Sequence, residues 1–472
     1  MLELTVRTGR GESVFSRRSF LQASLGMAGT LGLPTLLRQR SEAAEMGRPR
    51  RDTAVIQIWL GGGPSHLDMY DLKPAAPAEN RGPYRPIQTN QTGVQICELM
   101  PRKARIMDRL AIIRSLHQGS NEHTQGIHWE QTGAIAALND QSGDFTATHP
   151  SVGSIVAKLR GANRRAMFPY VHIAPDPMGI PFFIKVHESA YLGALYNPFR
   201  VESARALARP GIDAVYPLGD LISKVQFTVP NLDLLPGLDL ARVHDRSHLL
   251  RQLDELNHAL NSGKSSQKLD QYQKRALELL SSEAARQAFD LEREDPRLRQ
   301  AYGLNIWGQG ALLCRRLVEA GVTFVTLNTD SYSGQWDNHV QIKKHLDEML
   351  PVYDQMLTAL IDDLVQRGLY ERVLVVVWGE FGRSPKINEA GGRDHWGNAG
   401  FVLLGGGGLR GGAVVGSTSS RGELPKERLV WPQDVLATIY HVLGINSGTE
   451  LPDRLGRPVK ILNTGEPIRE LL

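Results

Sequence analysis

Cysteine is nearly absent: the 472-residue chain has two, Cys97 and Cys314, so no disulfide framework holds it together. Cys314 sits in the helical-looking run GALLCRRLVEAG and reads as a small buried apolar residue. Charge of one sign is also scarce. The formal net charge is +4, but residues 1–44 hold six Arg against three Glu, and the remainder carries 48 basic and 47 acidic residues. No Lys/Arg stripe is left to track phosphates, which argues against nucleic acid as a partner. Three catalytic signatures are missing as well. Without G-x-S-x-G, H-E-x-x-H or a Walker A sequence, the α/β-hydrolase, zincin and P-loop templates find no support. Long hydrophobic runs are lacking: the apolar stretch between Arg18 and Arg38 is broken by Gly26, Gly29, Gly32 and Pro34, so no permanent membrane anchor is expected.

What that N-terminal stretch does have is SRRSFLQ, Ser16 to Gln22: paired arginines ahead of a weakly apolar run, the layout of a twin-arginine export signal. Small residues at Ser41, Ala43 and Ala44 place cleavage near 44. The expected organisation is a signal peptide over 1–44 and one domain over 45–472, exported to the periplasm or cell envelope. Such export carries proteins already folded, which favours a bound ion. Nothing in the sequence sets an oligomeric state.

Along the mature chain, β-branched and apolar runs alternate with helical patterns: Ala54 to Leu60, Ala111 to Arg114, Tyr170 to Ala174, Val322 to Leu327, Val373 to Trp378 and Phe401 to Leu404. This alternation predicts an α/β fold with a largely parallel central sheet flanked by helices. Pro74 to Thr92 reads as an extended surface segment, and about 240–298 as a helical insertion. The run GGGGLRGG, Gly405 to Gly412, reads as a turn before a short strand at Ala413 to Val415.

In open α/β sheets, ligands gather beyond the carboxyl ends of the strands. Three such ends bring chemistry. The first is followed by GGGPSHLDMYD with Ser65, His66, Asp68 and Asp71, the second by NTDSYSGQWDNH with Asp330, Asp337 and His339, and the third by GEFGRSPKINEAGGRDHW with Glu380, Arg383, Asp394 and His395. Carboxylates with neutral imidazoles form a ligand set for a divalent metal ion such as Zn, Mn or Ca. Asp337 and His339 turn the same way if the segment is extended, and Gly391-Gly392 supplies the irregular backbone that adjacent ligands Asp394 and His395 require. Each residue also has a plainer role: a turn at Asp337-Asn338, a helix cap at Asp68, an ion pair between Glu380 and Arg383.

The stretches GGGPSHLDMYDLKP, QAYGLNIWGQGALLCRRLVEAGVTFVTLNTD, WDNH, VVVWGEFGRSPKINEAGGRDHW and LPDRLGRPVKILNTGEPIRELL together resemble the domain-of-unknown-function 1501 family, from about Val55 to the C-terminus. The resemblance implies an exported bacterial protein with the alkaline phosphatase, sulfatase and phosphoglycerate mutase fold. It implies metal ligation by Asp337, His339 and His395, with Glu380 standing where the superfamily's later strand-end Asp falls and Phe381 where its His falls. The first-strand Asp of that superfamily falls among Gly61 to Gly63, so Asp68 or His66 would have to reach back. The sulfatase nucleophile position falls on His123, nine residues before Thr132-Gly133, with Thr124 the nearest hydroxyl and Asn121 and His128 at the same helix end.

These readings combine into an exported metal-dependent hydrolase acting on an anionic small-molecule or glycan ester of phosphate or sulfate. Asp337, His339 and His395 would hold one ion, Glu380, Asp68 and Asp394 would assist, His123 or Thr124 would attack, and Arg383 would clamp the anion. The alternative is a non-catalytic envelope protein that keeps the fold.

Overall fold

Strands that are buried on both faces are mostly apolar, and the six-residue runs AVIQIW and VLVVVW form the centre of the sheet. The computed structural model describes residues 52–135, 147–174, 185–203, 282–329 and 335–472, with the backbone strands Thr5–Arg7, Glu12–Val14 and Phe227–Thr228. The chain divides into two units, Met1–Arg50 and Arg51–Leu472. In the first, Thr5–Arg7 and Glu12–Val14 pair antiparallel. The twin-arginine segment, Asp330 and most of the expected helical insertion lie outside the described residues.

Nine strands build the sheet of the second unit: β1 Ala54–Trp59, β2 Leu110–Leu116, β3 Tyr170–Ala174, β4 Phe199–Ser203, β5 Phe227–Thr228, β6 Phe324–Asn328, β7 Val373–Trp378, β8 Gly400–Gly406 and β9 Val414–Val415. Their spatial order is β9-β2-β8-β7-β1-β6-β3-β4-β5. The run β7-β1-β6-β3-β4 is parallel throughout. Against it, β8 runs antiparallel to both β7 and β2, and β5 antiparallel to β4. The mostly parallel sheet expected from the sequence is therefore present. Of the expected runs, Tyr170–Ala174 and Val373–Trp378 match residue for residue, whereas Phe199–Ser203, with its Arg and Glu, is an addition.

Helices cover both faces. Call the principal ones α1 His123–Thr132, α2 Val152–Leu159, α3 Ile306–Ala320, α4 Ile342–Gln366 and α5 Pro432–Val442. Leu312, Leu313, Leu317, Leu357, Leu360 and Leu364 of α3 and α4 pack on the face carrying Ile56, Val325 and Val375. Ile155, Val156, Leu436 and Ile439 of α2 and α5, with Ile127 of α1, pack on the opposite face with Val55, Phe324 and Val376. Each such buried aliphatic side chain contributes roughly 1.5–3 kcal/mol against exposure. Both cysteines are free and buried, as a core without disulfides requires.

Two local expectations change. Within Pro74 to Thr92 a short helix, Ala78–Arg81, precedes a strand, Pro86–Gln88, that pairs with Gln95–Cys97, so the segment is anchored and not merely extended. Of the expected insertion, the described part forms the helix Glu283–Phe289, capped by Ser282, and the start of a helix at Pro296–Tyr302, capped by Asp295. The Gly-rich run does turn the chain, with positive φ at Gly406, Gly407, Gly408 and Gly412. No helix among the described residues is long and apolar enough to cross a membrane.

Candidate metal centre

The carboxyl ends of β1, β2, β6 and β7 open on one side of the sheet, and the loops leaving them meet there. From β2 the chain runs through Asn121 to His123, the first residue of α1. From β7 it makes a two-stranded turn in which Gly382–Arg383 pairs antiparallel with His395–Trp396, setting Arg383 directly opposite His395. After β6, Asp337 and His339 do turn to the same place, but through a tight turn in which the His339 N–H donates to the Asp337 carbonyl at 3.0 Å instead of an extended run.

His123, Asp337 and His395 bring one ligand atom each to within 4.8 Å of one another, the one such group among the described residues. Nε2 of His395 lies 3.0 Å from Asp337 Oδ1, Nε2 of His339 lies 3.0 Å from the same oxygen, and Nε2 of His123 lies 3.4 Å from Oδ2. The Nε2 atoms of His339 and His395 are 2.9 Å apart. On the outer side every ring has an acceptor at Nδ1: Glu380 Oε1 at 2.8 Å for His123, Asp394 Oδ1 at 3.1 Å for His339, and the Asn121 carbonyl at 2.7 Å for His395. Three Nδ1–H groups therefore donate outward. In the neutral rings three Nε2 lone pairs face a carboxylate, an all-acceptor set that fits a cation. His123, Asp337 and His395 thus suit a divalent metal ion, with His339 beside them.

The electrostatics follow from these contacts. Burial pushes the Asp337 carboxyl up, but hydrogen bonds from His123, His339 and His395 and the Arg383 charge outweigh it and hold it well below the usual carboxylate range. Burial opposes charge on His123, yet bonds to Asp337 and Glu380 raise it to about 9 in the metal-free chain. The bond to Asp337 raises His339. Asp394 is lowered because its bonds to His339 and Asn388 outweigh burial.

The supporting shell explains why these side chains stand where they do. Arg383 is fully buried. Its guanidinium donates to the Gly63 carbonyl at 2.7 Å, the Arg393 carbonyl at 3.1 Å, the Gly62 carbonyl, and Asp337 Oδ1 at 2.5 Å. Gly62 and Gly63 can turn those carbonyls inward because both have positive φ, and a Cβ on Gly63 would stand 2.4 Å from the Phe381 ring. Phe381 packs against both His123 and His395, with ring centroids 5.0 and 4.4 Å away.

Other sequence candidates sit elsewhere. Asp68 is buried against Arg393, its Oδ2 2.8 Å from Nε, and accepts from Ser65 Oγ at 2.5 Å, so it does not reach back to the cluster. His66 Nε2 lies 3.0 Å from the Gly422 carbonyl, and burial lowers its pKa. The expected Glu380–Arg383 pair is replaced by Glu380 with His123 and Arg383 with Asp337. The clamp expected of Arg383 meets a guanidinium with no exposed face. Thr124 is half-buried in the first turn of α1, and His128 is turned to the Ala134 carbonyl and Thr148. Two fully buried polar residues that the sequence reading passed over, Gln118 and Glu130, hydrogen-bond to each other, and Gln118 also donates to the Gly379 carbonyl. The signal was present, because Glu130 follows His123 by seven residues and so shares its face of α1.

No curated protein matches the sequence. Among solved structures, a sulfatase from Pseudoalteromonas sp. is 10% identical, with 86% of this chain and 72% of that chain covered and a TM-score of 0.38. A phosphonate monoester hydrolase from Silicibacter pomeroyi is 11% identical, with 89% and 76% covered and a TM-score of 0.37. The lipoteichoic acid synthase from Listeria monocytogenes is 10% identical, with 90% and 81% covered and a TM-score of 0.37. Residues 52–472, which include all nine strands of the sheet and the loops carrying His123, Asp337 and His395, match the family described as protein of unknown function (DUF1501), and the chain belongs to that family.

Proposed function

We propose that this chain is an exported, metal-dependent hydrolase of phosphate or sulfate esters, with His123, Asp337 and His395 as the protein ligands of one divalent ion. The observation that carries the reading is the arrangement of the imidazoles, each with Nδ1 tied to an outer acceptor and Nε2 turned to Asp337. Three protein ligands leave a coordination position for substrate or water, the pattern of catalytic and not structural sites. Bound there, the ion supplies a Lewis acid toward an ester oxygen. The export part rests on the paired arginines Arg17 and Arg18.

The chain's own residues would divide the remaining work. First-turn N–H groups of α1, which begins at His123 itself, would hold anionic ester oxygens at the positive end of the helix. His339, with its side chain 42% exposed, stands on the solvent side, and its Nε2 would take and return the proton of the attacking water. Asp394 would keep its Nδ1 protonated. Arg383 would act as a positioning residue, fixing Asp337 against the Gly62 and Gly63 carbonyls.

The test is turnover of a panel of aryl phosphates and sulfates by metal-loaded protein. Hydrolysis lost in His395→Ala with the fold intact supports the reading. Stoichiometric metal without turnover of any ester moves the chain to the non-catalytic binding role, and a folded chain that takes up no Zn or Mn sinks the metal centre itself. Thr124→Ala separates two routes, because attack through its Oγ1 requires turnover to vanish and attack by water does not.

A further inference from the structure

Behind the metal centre, three buried oxygens have no hydrogen-bond partner: Oε2 of Glu380, Oε2 of Glu130 and Oε1 of Gln118. All three side chains are fully buried. They belong to one neighbourhood. His123, Gly126 and Glu130 lie on one face of α1, and Glu380 lies along that face. His123 Nδ1 holds Glu380 Oε1 at 2.8 Å. Gly126 leaves room for the Glu380 backbone, since a Cβ there would come 2.9 Å from the Glu380 carbonyl and 3.3 Å from its Cβ. Further along, the charges of Glu130 and Glu380 act on each other. Gln118 closes the group, its Nε2 donating both to Glu130 Oε1 and, at 3.1 Å, to the carbonyl of Gly379, the residue before Glu380.

The other oxygens of the two carboxylates are already partnered. Glu380 Oε1 takes the His123 N–H and the Gly62 N–H at 2.7 Å, while Glu130 Oε1 takes the Gln118 amide. What remains unpartnered on these three side chains are acceptors alone, two of them on carboxylates. A buried carboxylate without compensation is strongly disfavoured, and two whose charges repel are more so. A single proton neutralises one of them. A dication neutralises both and satisfies the carboxamide oxygen as well, and an all-oxygen set selects a hard ion of the Ca, Mg or Mn class over Zn.

We infer that Glu130, Glu380 and Gln118 form a second, oxygen-only site that holds a hard divalent cation inside the fold, distinct from the imidazole site at the surface. Its ion sits behind the Glu380 carboxylate whose other oxygen orients His123. The inference stands apart from the hydrolase reading, because it concerns different ligand atoms.

The experiment is equilibrium dialysis of the full-length, chelator-stripped chain against Ca and Mn, with elemental mass spectrometry and circular dichroism to establish folding. Wild type is expected to take up two ions per chain in Mn. Glu130→Gln is expected to lose one of them, and His395→Ala to lose the other. Calcium is expected to remain in His395→Ala and to disappear from Glu130→Gln. Gln118→Leu, which removes the neutral ligand and spares both charges, is expected to weaken calcium at least tenfold. One ion in wild type that His395→Ala abolishes overturns the oxygen site and leaves the surface centre standing. One ion that survives His395→Ala and is lost in Glu130→Gln supports the oxygen site and counts against the hydrolase reading. Should Glu130→Gln fail to fold, wild-type calcium uptake decides, since a folded chain that binds none overturns the inference.

Discussion

The main-chain carbonyl of Asn121 stands 2.7 Å from Nδ1 of His395, and since a carbonyl only accepts, it fixes a proton on that nitrogen and turns the other toward Asp337. The two residues are 274 apart in sequence, and the order of β2 and β8 in the sheet brings them together. The Asn121 side chain reinforces the contact, accepting the Gly397 N–H at 2.7 Å.

Replacing that side chain should therefore loosen the histidine without touching a ligand. Asn121→Ala is expected to weaken metal binding about 10- to 100-fold, the usual effect of removing a supporting group. Competition with a chromogenic chelator measures it. Unchanged affinity would show that the main chain alone suffices to hold His395.

Asp394 offers a different split. It holds Nδ1 of His339 from an exposed position and lies outside the proposed ligand set of His123, Asp337 and His395. Asp394→Ala should leave the metal content unchanged while kcat on an aryl ester falls about 100-fold, in the range typical of impaired proton transfer. Loss of the metal instead would move His339 from proton transfer into the ligand set.

Much of the fold can be read from the sequence because β3 and β7 are buried on both faces, which forces runs that are apolar but for His172 of β3. Periodicity does not report direction, so β8 reads like its neighbours although it is antiparallel. The signal was the lack of a crossover helix between Trp378 and Gly400, since parallel neighbours need one. At the site, the strand-end rule brings Asp337, His339, Glu380, Arg383, Asp394 and His395 onto one list, and the structure sets them around one centre. The rule could not tell who pairs with whom. Asp68 goes to Arg393 and Arg383 goes to Asp337, pairings fixed by the folding of the 384–394 loop and not by spacing. Asn121 acts through its backbone, which no side-chain pattern reports.

The metal-free chain should respond to pH with a definite sign. His123 is raised from 6.5 to about 9, because hydrogen bonds to Asp337 and Glu380 outweigh burial. A group raised on folding stabilises fully below pH 6.5 and loses that contribution as the pH climbs through about 9. Over this window the chelator-treated protein should lose stability on the order of 2 kcal/mol. Asp337 does not interfere, since its lowered carboxyl titrates only in acid. Divalent metal should reverse the slope, because it binds the neutral ring. Melting curves at pH 6.5 and 9 for wild type and His123→Gln test this, and parallel slopes in the two proteins would remove His123 as the source.

The last prediction concerns the loop that carries Asp394 and His395. Gly392 lies so close to the segment after β6 that a Cβ would stand 2.0 Å from the His339 carbonyl carbon and 2.4 Å from the Val340 nitrogen, both backbone atoms that cannot swing aside. Asn388 ties the same two segments, its Nδ2 donating to the His339 carbonyl at 2.9 Å and its Oδ1 accepting from the Gly392 N–H at 2.9 Å. Gly392→Ala must therefore push the His339 segment away from the His395 strand. It is expected to cost about 1–3 kcal/mol, the range for overpacking a tight contact. Because Asp337 belongs to the displaced segment and His395 to the other, metal affinity should fall together with stability. Asn388→Ala removes the tie without the collision and should lower affinity less than stability. Denaturant melts with and without metal separate the two effects. Equal metal-induced stabilisation in Gly392→Ala and wild type would show that the close approach of the loops serves the fold alone.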